Sequence, residues 1–580
     1  MKILGINTFH PDSSACIVVD GKVIIAIEEE RLRRVKHWAG YPDKSIQECL
    51  DEVGLLIDDI DCIAINRNPN VHLTGKLLFA LKSRPSLGNI ISRIRSRKEV
   101  GNIPALISKQ FSVDKASIEK KIYPVEHHLA HLSSTFFTSP FKDSVLLSID
   151  GFGDFVSTMW GFGKENQIKT DDYVGFPHSL GLLYSSITQY LGFWKYGDEY
   201  KVMGMAAYGK PVLAKEISKL VRPVTGGKFE LDTDYFLHHN EGVALEFQGG
   251  YPEVGQCFSN KLIDLLGPAR KSSEEVKQRH KDIACSVQFV YEETLFHILR
   301  HLNLIYPNIN KLCLAGGCAQ NSLANGKITS KSNFTDVWIQ PAAGDAGGAL
   351  GAALIVSNQI NAEKRHMIFS PALGKAYADY EIANLLKSTK LDSFQQNHFN
   401  NEEDLLDYIV HQLMNRKVIG FFHGAFEWGP RALGNRSIIV DPRIKDMKDL
   451  LNKKIKKRES FRPFAPSILR EEVNHWFEKD EDVPFMTHVF KINKDKRQII
   501  PAVTHEDGTG RLQTVTEEFN SRYYNLIKLF FNKTKVPMIL NTSFNENEPI
   551  VNTPEEALNC FLRTDMDVLV LENYIIERKG

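Results

Sequence analysis

Two stretches share one grammar: ILGINTFHPDSSACIVVDGKVIIAIEEER, residues 3–31, and SVLLSIDGFGDFVSTMWGFGKENQIKTDD, residues 144–172. The first reads as a strand, a polar turn, a second strand, a tight Asp-Gly-Lys turn and a third strand. The second reads as a strand, an Asp150-Gly151 turn, a strand, a Gly-Lys-Glu-Asn turn and a strand. Apolar residues alternate between turn formers, the pattern of antiparallel hairpins, because successive strand side chains face opposite sides. The duplication predicts two related subdomains facing each other across a cleft. Backbone N–H groups of each first turn can hold phosphate there. Two unrelated three-stranded meanders are the plainer alternative.

Outward from these repeats, residues 272–302 carry helical periodicity and lead into KLCLAGGCAQNSLANGKI (residues 311–328) and VWIQPAAGDAGGALGAALI (residues 337–355). Each is a strand that ends in a glycine turn. Gly344, Gly347 and Gly348 would let backbone approach a ligand closely, and Gly316, Gly317 and Asn321 are candidate nucleotide or phosphate contacts. Residues 358–377 turn polar and aperiodic, broken by Pro371 and Gly374. A boundary there predicts domains over residues 1–365 and 366–580. Beyond it, DLLDYIVHQLM, KVIGFFHG and VPMILNTSF alternate helix and strand, so a second α/β domain is expected.

The whole composition narrows the classes. The 580 residues suggest about two or three domains. Lys+Arg and Asp+Glu both total 71, so no global field draws nucleic acid or an anionic membrane. Cys16, Cys49, Cys62, Cys257, Cys285, Cys313, Cys318 and Cys560 form no CxxC pair and read as reduced core residues. MKILGINTF enters a strand at once, without the apolar core of a signal peptide, and no apolar run approaches the ~18 residues of a membrane helix. A cytoplasmic protein is expected.

In VEHHLAHLSSTFF (residues 125–137), a helix would put His127 and His131 at i and i+4 on one face, with His128 about 100° away as a neighbour. Two imidazoles so spaced can bind one divalent cation; a pair of hydrogen-bonded, partly buried histidines is the alternative. Asp150 and Asp345 each sit where a strand opens onto the cleft. Two histidines and two carboxylates suit a six-coordinate Fe, Mn or similar ion with open positions. Either aspartate alone would just as well cap its turn.

A second cluster lies in FEWGPRALGNRSI (residues 426–438) and KKIKKRESFRPFAPSIL (residues 453–469). Lys453, Lys454 and Lys457 read as a solvated face. Arg431, Arg458 and Arg462, set among Gly, Pro and Phe, should have partners, and polyphosphate is one that suits arginine forks, with Lys456 beside them. EDGTGRLQTV (residues 506–515) adds Arg511, and ILNTSFNENEPIV (residues 539–551) adds Asn541, Thr542 and Ser543. Three such segments in one domain favour a nucleotide site.

These motifs, with EEERLRRVKH, HHLAH, DEYKVMGMAAYG and QPAAGDAGGALGAAL, run in order along nearly the whole chain. Through them the protein resembles the O-carbamoyltransferases of the nodulation-factor and antibiotic type, such as the tobramycin and cephamycin carbamoyltransferases. The resemblance implies an α/β protein: a duplicated sugar-kinase/actin-like (ASKHA) N-terminal domain followed by a YrdC-like C-terminal domain. It implies that carbamoyl phosphate and ATP, with Mg2+, form carbamoyl-adenylate in the second domain, and that the first passes the carbamoyl group to a hydroxyl. The implied metal ligands are His127, His131, Asp150 and Asp345, with Fe2+ expected and Mn2+ or another divalent ion as alternatives. Arg431, Lys456, Arg511 and Ser543 would line the adenylate-forming pocket, with Met486 nearby and Arg458, Arg462 and Asn541 as further contacts. Arg431 and Lys456 would act on the triphosphate. His10 and Asp12 would lie on the acceptor side, His10 taking the hydroxyl proton unless it is merely a turn histidine bonded to backbone.

The acceptor is a small-molecule hydroxyl compound: a sugar, aminoglycoside, polyketide, toxin or glycan. Its binding segments, about residues 68–109 and 226–255, match no motif. A homodimer is allowed; nucleic acid and membrane are not expected partners. A sugar-kinase-type ATP-dependent kinase would explain the hairpins but leave the basic domain idle. The hydrogenase-maturation carbamoyltransferases carry CxxC pairs that are absent here. A non-enzymatic nucleotide-gated clamp would have no use for the His/Asp set.

Overall fold

The computed structural model describes the chain apart from residues 84–100, 241–244, 363–364, 369, 460, 463 and 580. Residues 84–100 and 241–244 belong to the two expected acceptor segments, so those parts lie outside the described residues, as does the Lys454 side chain. The chain divides into two units, Met1–Ile368 and Phe369–Gly580.

In the first unit the repeats become matching sheets. Strands β1 (Lys2–Asn7), β2 (Ser14–Val19), β3 (Lys22–Glu28), β4 (Cys62–Ile65) and β5 (Ile122–Pro124) lie in the order β3-β2-β1-β4-β5. Strands β6 (Asp143–Gly153), β7 (Val156–Lys164) and β8 (Gln167–Gly175) form the other sheet with Lys311–Ala315 and Asp336–Trp338. Its order from the β8 edge is β8, β7, β6, Lys311–Ala315, Asp336–Trp338. In both sheets the first three strands are antiparallel and the last two join in parallel. That repeated topology is the duplicated sugar-kinase/actin-like arrangement. The Asp20-Gly21 turn between β2 and β3, with φ of 49° and 76°, has the hand that matches strand twist.

One expectation fails in an informative way. The β6–β7 hairpin does not reverse at Asp150-Gly151. β6 continues to Gly153, its register with β7 shifts between Ile149 and Gly153, and the loop is Asp154-Phe155. The irregularity takes Asp150 out of the ladder and leaves its carboxylate for other partners.

Two helices pack between the sheets and bring the rest of the site. His127–Phe136 starts from Glu126, whose carboxylate accepts the Leu129 N–H. Gly347–Asn361 crosses it so closely that a Cβ at Gly351 would stand 1.8 Å from the Ala130 carbonyl oxygen. Leu4, Ile6, Ala15, Ile17 and Ile63 form part of the core under the first sheet. Each leucine or isoleucine among them contributes about 1.5–3 kcal/mol on burial.

The second unit has one mixed sheet. Its order is Phe394–His398, Tyr574–Arg578, Val568–Leu571, Ile419–Phe422, Arg436–Val440, Met538–Ser543, Ala465–Leu469, Thr509–Val515 and His488–Lys491. Helices Glu402–Met414, Ser521–Thr534 and Pro554–Arg563 give their apolar residues to its core, which makes this unit α/β as well. Among the described residues, no helix is long and apolar enough to cross a membrane.

Candidate functional site

His127 and His131 do share a helix face, and both point at Asp150 and Asp345. His127 Nε2 and His131 Nε2 are 3.1 Å apart, and Asp150 Oδ2 is 3.4 Å from the first and 2.9 Å from the second. Asp345 Oδ1 lies 3.5 Å from His127 Nε2 and 3.4 Å from His131 Nε2. Donors bound at about 2.1 Å to one ion stand roughly 3.0–3.4 Å apart, the edges of an octahedron or tetrahedron. The four atoms fit such a shell. Asp345 Oδ1 is buried without a hydrogen bond, a donor aimed inward. The set therefore suits a divalent cation bound by nitrogen and oxygen.

The surroundings aim each ligand. Asp150 Oδ1 accepts the N–H groups of Gly151 at 2.7 Å and Gly317 at 3.1 Å, which turns Oδ2 to the histidines. Asp345 Oδ2 accepts from His10 Nδ1 at 2.6 Å, leaving Oδ1 for the cage. Burial would neutralise these carboxyls. The histidine bonds outweigh it and hold Asp150 well below the usual carboxylate range, and His10 does most to lower Asp345. Burial depresses His131, but Asp150 and Asp345 carry it up to about 9. His128 is the supporting neighbour: Nδ1 meets Ser148 Oγ at 2.9 Å and Nε2 meets the Val156 carbonyl at 3.0 Å. Burial takes it down to about 4, so it is neutral.

The first turn supplies two more groups. His10 stands beside the cage, its ring 5.1 Å from that of His127. Asp12 turns the other way, its Oδ1 2.8 Å from His37 Nδ1. Gly316 and Gly317 buttress the cage, since the Gly316 N–H donates to Ala343 and that of Gly317 to Asp150. The Asn321 side chain is engaged with Gln288, donating at 2.9 Å and accepting at 3.0 Å, and with the Ala324 N–H. Two participants escaped the sequence reading, His37 and Asp154. For His37, the signal was the KH pair ending EEERLRRVKH; for Asp154, the second carboxylate in SIDGFGD.

In the second unit, Arg511 on strand Thr509–Val515 gathers the expected arginines. Its guanidinium is pushed well below its usual range, first by burial and then by Arg431, Arg458 and Arg462. Its Nε is buried without a hydrogen bond. Arg458 donates to Asn452 Oδ1 at 2.8 Å and lies over Phe464, and Arg462 stands 3.5 Å from Glu459. Like charges held together at half-buried positions call for an anion. Asn541 Nδ2 donates to the Ala432 carbonyl at 3.1 Å and so steadies the loop that carries Arg431. The buried Lys456 ammonium meets Ser543 and Asn545, donating to Asn545 O at 2.8 Å and Oδ1 at 2.7 Å. Met486 is buried with a φ of 57°.

The repeated sheets define the first unit's class as sugar-kinase/actin-like, with a candidate metal cage where the repeats meet. Family models then place the protein. Carbamoyltransferase N-terminus matches residues 2–354 and Carbamoyltransferase C-terminus residues 410–578. The chain belongs to the carbamoyltransferase family. It is 38% identical to the nodulation protein NolNO of Sinorhizobium fredii over 99% of this chain and 80% of that one. It is likewise 38% identical to the uncharacterised protein sll1178 of Synechocystis, over 99% and 96%. A crystal structure of HypF from T. kodakarensis aligns at 12% identity over 62% of this chain and 48% of that one. Its TM-score of 0.31 is too low to bear on function.

Proposed function

We infer that this carbamoyltransferase works in two half-reactions. In the second unit, carbamoyl phosphate and ATP with Mg2+ give carbamoyl-adenylate, with one water consumed and phosphate and pyrophosphate released. In the first unit, the carbamoyl group passes from the adenylate to a hydroxyl of a small molecule or glycan, and AMP leaves. The observation that carries this reading is the arginine cluster around Arg511. An accumulation of like charge suits a polyphosphate.

Arg431, Arg458, Arg462 and Arg511 would hold the triphosphate and stabilise the charge that grows as pyrophosphate departs. In the first unit His127, His131, Asp150 and Asp345 would hold a divalent metal, Fe2+ being the expected one. When bound, such an ion acts as a Lewis acid toward phosphoryl or carbonyl oxygen. The proton work falls to His10. Burial lowers His10 but Asp345 raises it, and in its neutral form, with Nδ1–H donated to Asp345 Oδ2, its Nε2 would have the lone pair that takes the proton of the attacking hydroxyl.

The test is to supply carbamoyl phosphate and ATP without acceptor and measure pyrophosphate and AMP-linked product. The expected result is pyrophosphate that depends on carbamoyl phosphate, is lost in Arg511→Ala and survives in His127→Ala. Release of ADP in place of pyrophosphate would overturn the adenylate step and point to a kinase.

A further inference from the structure

The Asp154-Phe155 loop is an unusual place for these residues. Both have positive φ, 49° and 81°, where two-residue hairpins take Asn-Gly or Asp-Gly. A phenylalanine there is strained, so the loop is held by what it touches. Asp154 Oδ2 accepts two backbone N–H groups from different elements: Asn68 at 2.7 Å and His127 at 3.1 Å. The second is the first residue of the ligand-bearing helix, whose opening N–H groups have no partner within the helix. Next to it, Gly153 lies flush on the His127 ring; a Cβ there would stand 2.0 Å from the imidazole. One carboxylate oxygen therefore joins the peptide of a metal ligand to a segment that contains none.

That segment borders the reacting face. Asn66 Nδ2 reaches Asn7 Oδ1 at 3.4 Å, and Arg67 Nη1 donates to the Phe9 carbonyl at 3.3 Å, directly before His10. Further along, His72 Nε2 lies 3.8 Å from Glu126 Oε1, the carboxyl that caps the same helix. Phe155 meets Phe79, ring centroids 6.0 Å apart. Residues 66–72 thus run from the turn that carries His10 to the turn that carries Asp154.

We propose that Asp154 is a positioning residue that couples occupancy of the metal cage to residues 66–72, and so sets the wall against which the hydroxyl acceptor meets His10. The proposal rests on the metal reading above. A cation that fixes the His127 ring would restrain the peptide whose N–H Asp154 holds, and the same oxygen would pass that restraint to Asn68. Without the carboxylate, the cage and the segment lose their shared hydrogen-bond acceptor.

Hydrogen exchange on the full chain, with and without Mn2+ as the probe ion, tests this. In the wild type, Mn2+ slows exchange both at residues 127–131 and at residues 66–72. In Asp154→Ala the second response is lost while the first persists, and Mn2+ affinity measured by electron paramagnetic resonance falls about 10–100-fold. Asp154→Asn, whose amide oxygen accepts the same two N–H groups, restores the response. If Asp154→Ala does not fold, Asp154→Ser, too short to reach both N–H groups, takes its place. Residues 66–72 responding equally without the carboxylate would overturn the coupling, as would a wild type that responds only at residues 127–131. Those outcomes leave the metal reading intact. A wild type that responds nowhere, or a His127→Ala protein that binds Mn2+ like the wild type, overturns the metal reading itself.

Discussion

The cage of the first unit and the arginine cluster of the second bury charge in opposite ways. In the cage, carboxylates and imidazoles face one another, Asp150 and Asp345 against His127 and His131. In the cluster, the charges acting on Arg511 are those of three more arginines. Histidine reports the contrast. Burial lowers His131, yet Asp150 and Asp345 take it up to about 9. Burial also lowers His505, and although Asp507 opposes it, Arg511 and Lys448 help bring it down to about 4. A buried site thus declares the sign of its ligand by the charge it leaves uncompensated.

The widest break in this comparison comes from removing one donor of four. Asp150→Ala should abolish carbamoyl transfer and weaken divalent-cation binding by more than the roughly 10–100-fold that loss of a mere orienting partner costs. Calorimetric titration with Mn2+ reads it. Pyrophosphate formation should be unchanged, and a variant that binds Mn2+ like the wild type would remove the cage from the mechanism.

In the cluster the same operation should give two effects of opposite sign. Arg511→Met should cut pyrophosphate formation by about 10²–10³-fold. It should also stabilise the protein by about 1–4 kcal/mol, because a desolvated cation among cations is replaced by apolar surface. Urea unfolding and the pyrophosphate assay together check it. A loss of stability would mean that Arg511 is already paired in the folded chain.

Lys456 sharpens the boundary between the cluster and its frame. Its ammonium meets oxygens of Ser543 and Asn545, so Lys456→Met should leave those oxygens unmet and cost about 2–3 kcal/mol. Activity should fall in step with stability in urea titrations. A hundredfold loss of pyrophosphate formation at unchanged stability would instead place the ammonium on the nucleotide.

How much of this was legible depended on range. The hairpin repeats and the HHLAH helix are local patterns, governed by alternation and the i,i+4 spacing, and they stand where the sequence put them. The Asp150 turn did not. Asp-Gly is a strong turn signal, but here Asp150 takes two backbone N–H groups and two imidazoles, and the strand runs on past it. The second carboxylate of SIDGFGD marks Asp154 but not its role, for a related reason: its partners, Asn68 and His127, are distant in sequence and use backbone N–H groups, which no side-chain motif records. Lys456, expected in the adenylate-forming pocket together with Ser543, does stand beside Ser543, a pairing that no local pattern records. Its partners lie on a strand end nearly ninety positions away.

The finest test is the pH dependence of the cage. His131 has its folded pKa raised to about 9 from an ordinary 6.5. Its charged pairs with Asp150 and Asp345 therefore stabilise the metal-free protein fully below about pH 6.5, and that contribution is lost as pH rises through about 9. A cation takes the place of the proton, so its binding releases protons and strengthens over the same window. The melting temperature of metal-free protein should fall between pH 6.5 and 9, while the increment produced by Mn2+ should grow. The arginine cluster offers no such titration there, because guanidinium remains charged, so Arg511→Met should leave the slope unchanged. An Mn2+ increment that is flat with pH would mean that protons and cation do not compete for His131, and the cage would then be an ion-pair network rather than a metal centre.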